Sequence, residues 1–185
     1  MKIVLGGPPG SGKGVLSNFL AQKYSLKQYS AGGIRREIAR EKGITIAELN
    51  KLDEVLPYEQ TADKIADERQ KQLNNEDGFV LDGRLAFHFV PSADVKIHLL
   101  VNPLVGAERI MKAGRLEESA KSIKQAAKIA KTREKSDIKR YKKLYNIKNY
   151  ADPRHYDLMI DTTKLTIDQV NQVVLCYIEN VRRLV

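Results

Sequence analysis

The chain has no tryptophan and a single cysteine, Cys176. One thiol excludes an internal disulfide and fits a reducing compartment. No apolar run approaches the roughly 20 residues that a membrane-spanning helix needs. The opening Met1-Lys2-Ile3-Val4-Leu5 stretch is too short for a signal-peptide core, and no small-residue cleavage site follows it. A cytoplasmic location without membrane attachment is therefore expected. No internal repeat and no Pro/Gly/Ser linker interrupts the 185 residues, which is long enough for one core and short for two full domains. The expectation is one domain over residues 1–185. The sequence also lacks an arginine-rich tail, and its basic stretch has no interleaved aromatics, so a nucleic-acid groove is disfavoured.

Positive charge is abundant: the formal net charge is +9. Such an excess fits nucleic-acid binding, and it equally fits an enzyme that collects Arg and Lys around two nucleotides. It peaks between Lys121 and Lys148, where Lys121, Lys124, Lys128, Lys131 and Lys135 recur at helical spacing. That pattern reads as one solvated stripe. Cys176 falls in a C-terminal helical pattern and reads as a core residue.

Short apolar runs alternate with helical patterns. Ile3-Val4-Leu5, Leu26 to Ser30, Phe79-Val80-Leu81, Val95 to Val101 and Leu158-Met159-Ile160 read as strands. Helices are expected from about Lys13, over Ile34 to Glu41, after the Thr45/Glu48 capping box, from Pro57 to about Asn75, from Pro103 to about Lys112, over Glu117 to Tyr145, and after Thr166. Strands and helices in alternation predict a five-stranded parallel sheet with helices on both faces, a three-layer α/β/α fold. Two helical stretches lack strands, residues about 31–75 and about 112–145, and read as insertions able to close over the sheet.

Gly7-Pro8-Pro9-Gly10-Ser11-Gly12-Lys13 satisfies G-x-x-x-x-G-K between a predicted strand and a predicted helix. This is the P-loop of nucleoside-triphosphate binders. Glycines let successive backbone N–H groups turn inward onto phosphate, and the helix N-terminus adds partial positive charge. Lys13 then reaches the β and γ phosphates of ATP. Gly14 and Val15 complete the loop, and Gly14 stands where a magnesium-holding Ser or Thr is usual. Magnesium accompanying ATP must then be held through water by a carboxylate. Asp82, after the strand Phe79-Val80-Leu81, is the best-placed candidate, unless it only forms the turn before Gly83.

Gly6-Gly7-Pro8-Pro9-Gly10-Ser11-Gly12-Lys13-Gly14 resembles the P-loop of adenylate and cytidylate kinases. Along nearly the whole chain the similarity is greatest to archaeal-type cytidylate kinases. Ser30-Ala31-Gly32 with Ile34, Arg36 and Glu37 resembles S-A-G-D-I-x-R-E, and Leu81-Asp82-Gly83-Arg84-Leu85-Ala86 resembles L-E-G-R-L-A. Ala93-Asp94-Val95-Lys96-Ile97 and Ala107-Glu108-Arg109-Ile110 continue the match. So do Arg133-Glu134, Ser136, Lys139-Arg140-Tyr141-Lys142 with Tyr145, and Tyr156-Asp157-Leu158.

This resemblance implies a nucleoside monophosphate kinase with an acceptor-binding insertion near 31–72 and a lid near 112–135. Its partners would be ATP and a nucleoside monophosphate, CMP or dCMP first, with AMP or UMP and an RNA-associated ATP-binding role as alternatives. Ser30, Gly32, Arg36 and Arg84 would hold the acceptor. Arg133 and Arg140 would grip the transferring group from the lid, and Arg109 would flank ATP. Asp137 would orient the arginines or touch the nucleoside. Taken alone, Arg133 and Arg140 also read as ordinary salt-bridge partners on a charged helix. The chemistry needs positive donors around the phosphoryl group and no general base, so His88, His98 and His155 read as structural or surface residues. A cytosine reader needs an acceptor and a donor. Asp67, Arg69 and Gln70 offer these, and read equally as solvent-facing residues. Two positions depart from the family pattern: Gly33 replaces an Asp that helps position the acceptor, and Arg35 replaces a bulky apolar residue. A monomer is expected, although no feature of the sequence determines assembly.

Overall fold

The computed structural model describes residues 1–114, 120 and 122–183, with Ala47 and Arg133 described by their backbone only. Five parallel strands form one sheet in the order β2-β3-β1-β4-β5. They are β1 (Lys2–Gly6), β2 (Lys27–Ser30), β3 (Phe79–Asp82), β4 (Val95–Leu100) and β5 (Leu158–Asp161). The helices are α1 (Lys13–Tyr24), α2 (Ala31–Glu41), α3 (Ile46–Val55), α4 (Ala62–Gln72), α5 (Ala86–Phe89), α6 (Pro103–Lys112), α7 (Ile123–Tyr145) and α8 (Ile167–Arg183).

The central strands are mainly apolar because both faces are covered, with Lys2 opening β1, Asp82 closing β3, and Lys96 and His98 interrupting β4. Side chains alternate across the sheet. Ile3, Leu5, Val80, Ile97 and Leu99 enter one core with Leu16 and Leu20 of α1 and Val174 and Ile178 of α8. Val4, Phe79 and Leu81 enter the other with Leu85, Phe87, Phe89, Tyr141 and Tyr150. The insertion α2–α4 closes a small core of its own from Ile34, Ile38, Ala39, Leu49, Ala62 and Ala66. α6 and α7 meet through Ala107, Ala126 and Ala127.

Four expectations need correction, the first being that the helix expected from Glu117 begins at Ile123, where Ser122 caps it by accepting from the Gln125 N–H at 3.3 Å. The helix expected from Pro57 begins at Ala62: Pro57 leads a 3-10 turn over Tyr58–Gln60, and Thr61 takes the cap by accepting from the Lys64 N–H at 3.2 Å. A hydroxyl that satisfies an orphan N–H outweighs the mere tolerance of proline in a first turn. α2 starts at Ala31 rather than Ile34, because Ser30 Oγ accepts from the Gly33 N–H at 2.8 Å and draws two glycines into the first turn. Cys176 is exposed rather than core. α8 buries Val170, Val174 and Ile178, a four-residue repeat, and position 176 lies on the opposite side. The capping boxes at Thr45/Glu48 and Thr166/Gln169 form as expected. Lys124, Lys128, Lys131 and Lys135 are exposed along α7 as a solvated stripe, whereas Lys121 lies outside the described residues.

Candidate active site

The chain folds so that β1 and β3 end side by side, with Leu5 in register with Asp82 and Ser30 of β2 beyond it. In an open parallel sheet the crevice beyond the strand ends, where the strand order reverses, is where ligands bind. Every loop named below leaves from that edge.

After β1 the chain wraps through Gly7, Gly10 and Gly12, at φ 136°, 76° and 96°. L-residues resist these values. Two positions need glycine for a second reason. A Cβ on Gly7 would stand 2.3 Å from the Leu99 carbonyl oxygen, and one on Gly10 would stand 2.2 Å from that of Gly106 in α6. The loop is thus pressed backbone to backbone against its neighbours, with Ser11 buried beneath it. α1 opens at Gly12 with no side-chain cap, so its first N–H groups remain for an anion. Lys13 Nζ donates to the carbonyls of Gly7 and Pro8, both at 2.8 Å. Burial, partly offset by Asp82 and reinforced by Arg84, lowers its pKa to about 8. Pro8 and Pro9 are half-buried on the loop, Gly14 sits in the first turn of α1, and Val15 points outward.

Gly10→Ala is expected to lose about 2 kcal/mol, from positive-φ strain and the Gly106 clash. That is a fall of roughly 4–8 °C in Tm. ATP affinity should weaken in parallel, because the loop must lift off α6. Thermal melting and calorimetric titration with ATP test this, and an unchanged affinity would mean that the loop's seat on α6 does not shape the cradle.

Arg109 braces the loop. Its Nη1 donates to Thr162 Oγ1 at 3.0 Å and its Nη2 to the Thr162 carbonyl at 2.7 Å, with the Gly10 carbonyl 3.4 Å from Nη1. Buried Thr162 in turn reaches the Ser11 carbonyl at 3.1 Å. The sequence reading missed this threonine, because nothing in Asp161-Thr162-Thr163 distinguishes it from an ordinary turn.

On the other side of the crevice Arg84 follows β3 and is largely buried. It donates to Asp137 of α7, a short contact between well-shielded groups. Burial opposes its charge, but Asp137 and the neighbouring Tyr141 and Tyr150 together raise its pKa. Asp137 also accepts from Arg140 Nη2 at 2.9 Å. The spacing of Asp137 and Arg140 on α7 thus lets one carboxylate pair with both Arg140 and Arg84. Arg133 lies one turn earlier on α7, and its side chain lies outside the described residues. Arg36 is exposed, and its guanidinium lies 3.4 Å from where a Cβ on Gly32 would stand. Gly32 thus leaves room for this arginine at the end of β2.

Asp67 and Gln70 face inward and are buried, whereas Arg69 turns out to Glu37 and Glu41. The solvent-facing reading thus holds for Arg69 and not for Asp67 or Gln70. The Asp67 carboxylate accepts from Tyr58 at 2.7 Å and from Tyr145 of α7, and the two hydroxyls lie 3.0 Å apart. Burial raises the Asp67 pKa, with the two tyrosines opposing. Gln70 gives its amide N–H to the Ala66 carbonyl at 3.3 Å, and its Oε1 faces Gly83. The tyrosines escaped the sequence reading because they come from segments 87 residues apart.

The histidines stay outside this set. His98 is buried beside Gly6, against Tyr156 at 4.6 Å, with neither ring nitrogen paired. Burial, with some help from Lys13, drops its pKa to about 4, so the ring is neutral. His155 stacks on Phe87 at 4.3 Å, and His88 is exposed.

A parallel sheet of this order with a glycine cradle after its first strand is the fold of P-loop kinases. Solved structures agree. A shikimate kinase from Bacteroides thetaiotaomicron superposes with a TM-score of 0.66 over 98% of each chain at 14% identity. A protein from Eubacterium ventriosum does so with a TM-score of 0.67 at 20% identity, over 97% of this chain and 98% of that one. Within that fold, the model of the Cytidylate kinase-like family matches residues 2–164, and the chain belongs to this family. It is 36% identical over 185 residues to the cytidylate kinase of Methanosphaerula palustris, covering 98% of this chain and 99% of that protein. It is 35% identical over 187 residues to that of Methanocaldococcus jannaschii, covering 99% and 100%.

Proposed function

We propose that this chain transfers the γ-phosphoryl group of ATP to CMP or dCMP. The observation that carries the reading is the cradle at Lys13 facing Arg84, with Arg140 drawn to the same carboxylate, across one crevice of a chain similar along its length to cytidylate kinases.

ATP lays its phosphates in the loop Gly7–Val15, where backbone N–H groups and the start of α1 receive them and Arg109 keeps the loop in place. Lys13 leaves the Gly7 and Pro8 carbonyls for the β and γ oxygens. The acceptor phosphate is held by Arg36 and Arg84 near Ser30 and Gly32. Its second ionisation has a pKa of about 6, so at neutral pH the oxygen is already largely ionised and attacks without a general base. A P–O bond forms to the acceptor as the bond from the γ-phosphorus to the β–γ bridging oxygen breaks, leaving ADP and a nucleoside diphosphate. Arg133 and Arg140 balance the charge on the equatorial oxygens as it develops.

Asp82 is the carboxylate at the strand edge, and among the described residues no cluster of three acids, histidines or cysteines surrounds it. A carboxylate at the end of β3, in register with the end of β1 from which the loop to Lys13 leaves, fits magnesium carried in on the phosphates and held through water, as this ion prefers. Bound there, the metal would supply neutralising charge on the phosphate oxygens. Asp67 and Gln70 read the base: a cytosine offers an exocyclic amine to a carboxylate and ring acceptors to an amide.

The test is ADP release with magnesium-ATP and, in turn, CMP, dCMP, UMP, AMP and GMP. Turnover with CMP or dCMP well above the rest is expected. Preference for AMP or UMP would reassign the acceptor, and inertness toward all five in a protein that binds ATP would overturn the reading.

A further inference from the structure

The acceptor insertion carries a run of ion pairs that the mechanism above does not use. Arg35 of α2 reaches Asp53 of α3 at 2.9 Å and donates to Asn50 at 2.8 Å. Its other terminal nitrogen is held by Oδ1 of Asp63 in α4. Oδ2 of the same Asp63 crosses to α7 and meets Arg140 Nη1 at 2.7 Å. Arg140 Nη2 meets Asp137, which is paired with Arg84. Asp53, Arg35 and Asp63 are all well shielded, at 11%, 18% and 17% side-chain exposure, while Arg140 is 44% exposed.

We infer that Asp63, clamped by Arg35, is a positioning residue for Arg140, and that through it the acceptor insertion sets the aim of the arginine on α7. This rests on the kinase reading above. A half-exposed arginine on its own helix samples many rotamers, and a long side chain carries substantial rotamer entropy. Asp137 lies three residues before Arg140 on that helix and holds one nitrogen of the fork. A single such contact leaves the plane of the guanidinium free to turn. Asp63 holds the second nitrogen from a different element, which fixes the plane. Asp63 is in turn prevented from following Arg140 into solvent, because its first oxygen is bound to Arg35, and Arg35 is bound to Asp53 and Asn50. The charge order alternates along the whole run, so each group is flanked by its opposite.

The run also explains Arg35, which looked out of place in the sequence: it is the pivot on which α2, α3 and α4 each place a polar side chain. Two oxygens of one carboxylate thus join two bodies that must come together for transfer. Preorganised charge is effective only where its geometry is kept, and a misplacement of about 1 Å costs up to roughly a hundredfold in rate.

The test uses the full chain and begins with wild-type turnover on CMP, so that failure of the acceptor reading is seen in the wild type alone. Asp63→Asn keeps the size and removes the charge. Its kcat is expected to fall about tenfold to thirtyfold with the ATP KM close to wild type, and its melting temperature to fall modestly, since Arg35 and Arg140 each keep a second carboxylate. Combined with Arg140→Gln, it should add almost nothing to the loss from Arg140→Gln alone, since both break the same arrangement. Arg35→Gln, which leaves Asp63 in place but loosens it, should lower kcat severalfold in the same direction, and serves if Asp63→Asn fails to fold. Wild-type kcat in folded Asp63→Asn or in Arg35→Gln would overturn the inference. So would losses from Asp63→Asn and Arg140→Gln that multiply.

Discussion

Lys13→Ala is expected to lower turnover at least about a thousandfold, or roughly 4 kcal/mol of barrier, while the ligand-free protein melts no lower than wild type. The rate loss follows from removing the one ammonium that the cradle holds ready. The unchanged or raised stability follows from its pKa. Burial lowers the Lys13 pKa to about 8 from an ordinary 10.5. A base whose folded pKa is lowered destabilises the folded chain below that pKa, and the penalty fades as pH rises toward the unfolded value. Removing the group removes the penalty.

The same displacement gives ATP binding a pH dependence. Triphosphate restores charge partners to the ammonium and raises its pKa, so ATP binding takes up a proton above about pH 8. Affinity should be level below pH 8 and weaken above it, and the slope should vanish in Lys13→Ala. Calorimetry in buffers of different ionisation heat measures the proton directly. Wild-type turnover in the variant would take Lys13 out of the reaction, and loss of the fold would make it a structural residue.

Arg84→Ala should lower kcat/KM for CMP by about a hundredfold to a thousandfold, or roughly 3–4 kcal/mol, and shift the ATP KM by no more than about twofold. The asymmetry is the point, since Arg84 leaves β3 on the acceptor side while the ATP cradle leaves β1. Stability should fall as well. Asp137 is 7% exposed and, among the described residues, keeps Arg140 as its ion-pair partner when Arg84 is gone. That costs about 1–3 kcal/mol, less than for a charge left wholly alone. Arg84→Ala with Asp137→Asn separates the two effects: the melting temperature should recover and the CMP defect should not. Equal rises in both KM values would move Arg84 off the acceptor side.

What could be read from the sequence was whatever depends on neighbours in the chain. β1, β3 and β4 declare themselves because a strand covered on both faces is mostly apolar, even with Lys96 and His98 inside β4, and the loop after β1 carries its spacing in seven consecutive residues. The weaker β2 has exposed Lys27 and Gln28 at an edge, where burial leaves no pattern. Thr45 and Thr166 cap as expected because the capping box is a local bond. The errors came where a more distant contact decides. Thr61 displaced Pro57 as the start of α4, and Asp53 of α3 supports that cap by accepting from the Ala62 N–H at 2.8 Å. Cys176 shares a helix with core residues but not their face. Asp63, Arg35, Tyr58 and Tyr145 pass as surface charges and aromatics until folding brings α4 against α7. Asp67 and Gln70 were legible as suitable chemical types, and only packing could turn them inward.

One consequence of α7 concerns leverage. The helix has 23 residues, and its C-terminal end is set among Phe89, Tyr141 and Tyr150, whereas near its other end Ala126 and Ala127 pack on Ala107 and Met111 of α6. A rigid rod of that kind pivots at its aromatic end. At 1.5 Å per residue it is ~35 Å long, so a tilt of about 10° sweeps the far tip by ~6 Å. Arg140, only about 8 Å from the pivot by the same rise, moves little more than ~1 Å. A tilt about that end would therefore displace the α6-facing end most, while Arg140 near the fulcrum keeps almost the position that its pairs with Asp63 and Asp137 give it.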